Sequence, residues 1–224
     1  EEIYRRARIT GELKKNFIYQ IAKIKWTHKL SEETTNIRGS ERFKEFEVIT
    51  LILKGDTLNI KCLEFIDRII PFPLIFEVVR LKSTPIQHDS LQEIESIQTI
   101  AAYKTLKNGV VKLESRYYHS PRYAAGTERR PLPQSITIEH LYKALISILL
   151  RSETGAQLKG IENQGLANTG YSLEKQIAQE EERRKLIQTI ERIQKHINKE
   201  KQFNKRVELN IELKKMQAKL RTLF

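Results

Sequence analysis

The sequence predicts an α+β fold: a mixed sheet of about five strands with packed helices, followed by a C-terminal helical coiled-coil arm or hairpin. Three observations predict it. Five segments between Ile24 and His119 read as strands, bounded by turn-forming residues. An amphipathic helical stripe over Ile138, Leu141, Tyr142, Leu145, Ile146 and Leu149 supplies a face to cover a sheet. From Ser172 onward there is no Pro or Gly, charges of both signs crowd the chain, and aliphatic residues recur at a 4-3-4 spacing.

Element by element, Thr10 is placed to cap a short helix with Leu13, Phe17 and Ile21 along one side. The period then changes to two. Ile24, Trp26, His28 and Leu30 alternate with Lys23, Lys25, Thr27 and Lys29, which predicts a strand with one wet, basic face. Phe43–Lys54 is apolar on both faces, as a central strand would be. Gly55-Asp56-Thr57 supplies a turn and a cap for a helix carrying Leu63, Ile66, Ile69 and Ile70, which Pro71 and Pro73 end. Leu74–Leu81 is a third strand. Ile97–Leu106 and Val110–His119 flank Lys107-Asn108-Gly109, a hairpin signal, because Asn-Gly tolerates the positive φ of a tight turn.

The boundaries that follow are residues 1–151 for a basic α+β domain, 152–171 for a flexible linker containing Gly155, Gly160, Gly165 and Gly170, and 172–224 for the arm. In the arm, Leu186, Ile190, Ile193 and Ile197 form one stripe, and Leu209, Leu213, Met216, Leu220 and Leu223 a second, out of phase with the first. A straight helix would run about 75 Å and rotate its stripe midway. A fold-back near Asn198–Lys205 lets the stripes face each other and is preferred. Either stripe alone is too short for a stable isolated coil, so both predict packing against a partner, a second copy or one another.

The formal charge of +12 marks the chain as one that attracts polyanions, nucleic acid foremost. Two basic clusters are candidate DNA contacts. Arg5, Arg6, Arg8, Lys14 and Lys15 lie near the start, and Arg116, Tyr118, Arg122, Arg129 and Arg130 lie in and before a proline-containing loop over Ser120–Gln134. The single cysteine, Cys62, rules out a disulfide framework and a zinc knuckle. It fits a reducing, cytoplasmic setting. No apolar run is long enough to cross a bilayer. The chain opens on Glu1 without a signal peptide, which implies that a few residues precede it.

Motifs for chemistry are absent. There is no Gly-rich phosphate loop, no His-Glu-x-x-His helix, no Gly-x-Ser-x-Gly elbow and no paired Cys, so neither a cofactor nor a metal is expected. The one catalytic alternative is a metal-dependent nuclease using Glu45, Glu47 and Glu77 with Lys54 or Lys82 at strand ends. The simpler reading of those carboxylates is ion pairing on a sheet.

Three runs carry a family likeness: IKWTHKLSEET over Ile24–Thr34, FIDRIIPFPLIF over Phe65–Phe76 and KEKQFNKRVELN over Lys199–Asn210. They resemble a bacterial and archaeal family of domains of unknown function, number forty-three ninety-one in its series. The resemblance spans nearly the whole chain and implies companionship with helicases and DNA methyltransferases in restriction-like or antiphage gene clusters. The expectation is a non-catalytic accessory subunit. Its arm, through Leu186, Ile190, Ile193, Ile197, Leu209, Leu213, Met216 and Leu220, docks such a partner or pairs with its own copy, while its basic faces contact DNA backbone.

Overall fold

The computed structural model describes residues 10–41, 43–82, 93–107, 110–154 and 172–222, and the chain divides into two compact units, Glu1–Asn168 and Thr169–Phe224. The first unit holds α1 (Gly11–Gln20), β1 (Ile21–Ser31), α2 (Glu32–Thr35), β2 (Glu45–Leu53), α3 (Ile60–Ile69), β3 (Leu74–Leu81), β4 (Ile94–Lys107), β5 (Val110–His119), β6 (Tyr123–Ala124) and α4 (Ile138–Thr154). The second holds α5 (Leu173–Lys199) and α6 (Phe203–Thr222). The chain folds as α+β.

The strands order β1-β2-β3-β4-β5, with β6 pairing the free end of β4. β2 and β3 are parallel, joined by the α3 crossover, and every other pairing is antiparallel. Register assigns the faces. Ile49, Leu51 and Leu53 of β2 share a face with Phe76 and Val78 of β3, Ile100 and Ala102 of β4, and Tyr117 of β5. Phe17 of α1 and Cys62, Leu63, Phe65 and Ile66 of α3 close over that face in one buried cluster. Phe46, Tyr103 and Tyr118 lie on the other face, under α4. There the Tyr142 ring meets Phe43, Phe46 and Tyr103 at centroid separations of 5.4, 5.5 and 6.1 Å.

Local chemistry sets the boundaries. The Thr10 hydroxyl accepts from Leu13 N–H, and α1 stops at Gln20 because Ile21 is already extended and begins β1 instead of continuing the helix. The cap of α3 is Asn59, whose Oδ1 accepts from Lys61 N–H at 3.0 Å, so Gly55-Asp56-Thr57 turns the chain without capping. Thr137 caps α4 through its hydroxyl, which accepts from His140 N–H. α4 runs on to Thr154, past the expected domain edge at residue 151. The rest of the expected linker, the Asn108-Gly109 turn and Arg5, Arg6 and Arg8 lie outside the described residues.

β1 departs from the simple alternation. Bulges between Ile21 and Lys23 and between Trp26 and His28 shift the register. Trp26 therefore pairs with Ile49, while His28 pairs with Val48 and Lys29 with Glu47. Trp26 and His28 fall on opposite faces, and Trp26 and Lys29 on the same one. The bulged residue, Thr27, anchors its hydroxyl to that of Thr50 on β2.

In the second unit the chain leaves the helix at Glu200, whose carboxylate accepts from Gln202 N–H at 2.9 Å, and re-enters it at Phe203. α5 and α6 pack on each other as a helical hairpin. A Glu182–Lys219 ion pair at 2.8 Å ties them in antiparallel register. The fold-back has taken up the predicted stripes. Leu186, Ile190 and Ile193 are buried, and Ile197, Leu209, Leu213, Met216 and Leu220 are half-buried.

Candidate functional surfaces

The basic loop is held down by the domain's own carboxylates. Arg122 donates to Asp56 at 2.6 Å, and Asp56 also holds the buried Arg80 at 3.0 Å. Arg129 donates to Glu77 at 2.8 Å. Arg116 donates to Glu153 of α4 at 2.7 Å and lies 4.9 Å above the Tyr118 ring. Tyr118 itself is fully buried, so its ring has no face to offer a base. Gly126, at φ 83, lets the loop turn back beside β6. Arg130, Lys14 and Lys15 stand exposed.

A different basic surface is open. β1 is an edge strand, and its Lys23, Lys25, Trp26, His28 and Lys29 are exposed. Trp26 keeps 58% of its surface in solvent, and Tyr19, just before the strand, keeps 72%. Lysines along an edge also resist strand-to-strand aggregation, so the same residues protect the fold. Lys29 bonds Glu45 at 2.8 Å, and that partner raises its pKa.

The acidic residues do not assemble into a nuclease-like cluster. Glu47 pairs with Leu74 and Thr50 with Glu77 in the parallel β2–β3 register, so Glu47 and Glu77 project from opposite faces of the sheet. Lys54 donates to the Ile18 carbonyl at 2.7 Å, and Lys82 bonds Glu93 at 2.6 Å. Among the described residues no group of three or more His, Cys, Asp or Glu side chains is placed to hold a metal.

Glu47 and a network around Lys104 are buried ionisable sites on the α1–α3 face. Glu47 is 1% exposed, and its Oε2 has no hydrogen-bond partner. Burial first and the neighbouring Glu45 second raise its pKa to about 7, against a smaller opposing pull from Lys29. The other site is a network. Lys104 pairs with Asp67, donates to the Asp67 and Phe72 carbonyls at 3.0 Å each, and Tyr117 donates its hydroxyl to Asp67. Burial pushes the Asp67 carboxyl up and the Lys104 ammonium down, each opposed by the other's charge. Every polar arm of this network ends on protein, which makes it a clamp between α3, β4 and β5. Burial also pushes the Cys62 thiol up to about 11, which leaves it unreactive.

The arm keeps one uncovered apolar surface. Phe203, Val207 and Ile211, spaced four apart on one side of α6, are 76%, 42% and 51% exposed. That side lies away from the half-buried Leu209, Leu213, Met216 and Leu220. Residue spacing could have found it, since Phe203, Val207 and Ile211 form a second 4-4 series beside the stripe read above. The exposed Lys and Trp of β1 were also visible in the sequence, but the bulge that sorts them between faces was not.

No curated relative and no solved structure matches the chain. A family model described as a domain of unknown function, DUF4391, matches residues 1–220. With nearly its full length covered by that match, the chain belongs to the DUF4391 family.

Proposed function

We propose that the protein is a non-catalytic accessory subunit of a bacterial DNA-handling, restriction-like or antiphage complex, built to dock a larger partner through its helical hairpin and to contact DNA backbone through its basic domain. The observation that carries the reading is α6. It is a 20-residue helix with no buried residue, and it bears apolar side chains on two sides. One side meets α5, and the other, Phe203-Val207-Ile211, is bare. Isolated helices of this length are marginal in water, and exposed apolar stripes on them mark contact surfaces. α6 also carries six Lys and Arg against two Glu. The partner surface that fits is an apolar groove with an acidic rim, on a helicase or DNA methyltransferase of the kind the sequence resemblance points to.

The docking half is tested by co-purification from the native host with the partner identified by mass spectrometry. A Phe203→Asp, Ile211→Asp variant of the full chain is expected to retain the helical circular-dichroism signal of the parent. It should lose the helicase or methyltransferase by at least about tenfold, as replacing central apolar anchors does in other interfaces. Retention of that partner at parental yield overturns the docking surface.

A further inference from the structure

We infer that the open edge of β1 is a binding site for single-stranded nucleic acid, with Trp26 as its stacking platform and Lys23 and Lys25 as its phosphate contacts. The inference rests on the nucleic-acid part of the reading above and replaces the proline-containing loop as its contact surface. Four observations meet at this edge. β1 contributes three lysines and His28 and no acidic side chain. Its outer edge pairs with no described strand, so its backbone polar groups face outward. Lys23 and Lys25 share a face by register with Ile52 and Thr50, which sets them about 6.6 Å apart, the order of successive phosphates on an extended strand. Trp26 is turned to the opposite face and left 58% exposed, although a tryptophan of this size is normally highly buried.

The bulge at Thr27 makes the combination. In an unbroken strand Trp26 and His28 would share a face and Lys29 would join Lys23 and Lys25. The extra residue instead makes Trp26 and Lys29 same-face neighbours, with the Thr27–Thr50 hydroxyl contact holding the distortion. A strand of nucleic acid along this edge meets ammonium groups on one side and swings a base round to the indole on the other. A stacked base must be free of its duplex partner, so the chemistry selects single strands over duplex. The paired arginines of the loop offer no such face. An acidic protein segment could also meet lysines, but interface cores are depleted in lysine, and here three of the eleven residues of β1 are lysines.

Trp26 is the chain's single tryptophan, so intrinsic fluorescence reads this site alone. The full-length protein is titrated at low salt with an oligothymidylate of about a dozen nucleotides, with Trp emission and the anisotropy of the labelled oligonucleotide followed together. Emission is expected to quench in step with anisotropy. Trp26→Ala should weaken binding about tenfold or more, Trp26→Phe should restore most of it, and Lys23→Ala with Lys25→Ala should lower the salt slope by roughly one to two. Binding seen by anisotropy with unchanged Trp emission, or equal affinity for Trp26→Ala, overturns the site and leaves the nucleic-acid reading standing. Tighter binding to duplex without quenching does the same. A Trp26 response to the protein partner alone assigns the edge to a protein contact and overturns the inference. Absence of binding to single strand and duplex alike removes the DNA part of the proposed function, and this site with it.

Discussion

Glu47 sits where a charged carboxylate is poorly solvated: it faces the apolar α1–α3 layer, beside Glu45, with one oxygen unpartnered. Its folded pKa of about 7 lies above the ordinary carboxylate value of 4.5, so the folded state holds the proton more tightly than the unfolded one. Stability is therefore greatest below the ordinary value and falls as pH rises from there through about 7, after which the penalty is constant. At 1.36 kcal/mol for each pKa unit, the ceiling is about 3 kcal/mol. Glu47→Gln mimics the neutral acid. Urea unfolding should find it equal to the parent near pH 4 and more stable by about 1–3 kcal/mol at pH 8. Equal midpoints at pH 8 would show Lys29 to be holding Glu47 ionised at little cost. None of this was legible in the sequence, where Glu45 and Glu47 each read as a salt-bridged strand residue. Lys29 chose Glu45, and register left Glu47 inside.

At the scale of elements, the Lys104–Asp67–Tyr117 network joins α3, β4 and β5 through buried polar contacts. Removing one member strands a buried charge. Lys104→Met is expected to lower unfolding free energy by about 3–5 kcal/mol, while Lys104→Met combined with Asp67→Leu should recover most of the loss. A double-mutant cycle by denaturant titration checks this, and additive single losses would show Lys104 and Asp67 to be independent. The elements themselves were largely readable. Strands β2 and β3 announce themselves because both faces are apolar, and Thr10 and Thr137 sit where caps belong, whereas α3 is capped by Asn59 and not by the expected Gly55-Asp56-Thr57. What the sequence hides is anything set by long-range pairing: the β1 bulges, the opposite facing of Glu47 and Glu77, and the choice of Asp67 as partner for a lysine 37 residues away. The arm shows the same division. Its two stripes predict a fold-back and the structure breaks the helix at Glu200. Its charged run forms an i,i+3 pair, Glu180–Arg183, and a cross-hairpin pair, Glu182–Lys219, of which only the first is a matter of local spacing.

Across the whole molecule, the two units draw on separate resources. The large buried cluster of the first unit is built from α1, α3 and the strands. The hairpin, for its part, closes on the Leu186-Ile190-Ile193 stripe and a cross-helix ion pair. A chain ending at residue 171 is therefore expected to keep a cooperative urea transition and the Trp26 emission maximum of the full protein. It should also keep the low-salt affinity for oligonucleotide, reduced only by the long-range attraction of the hairpin's own positive charge, an effect that vanishes as salt approaches about 0.15 M. The same truncation should abolish recovery of the helicase or methyltransferase partner. Full recovery of that partner by the shortened chain would move docking onto the α+β unit. A broad, non-cooperative transition would mean that the hairpin helps close the first unit's core, and the separation of tasks between the two units would have to be given up.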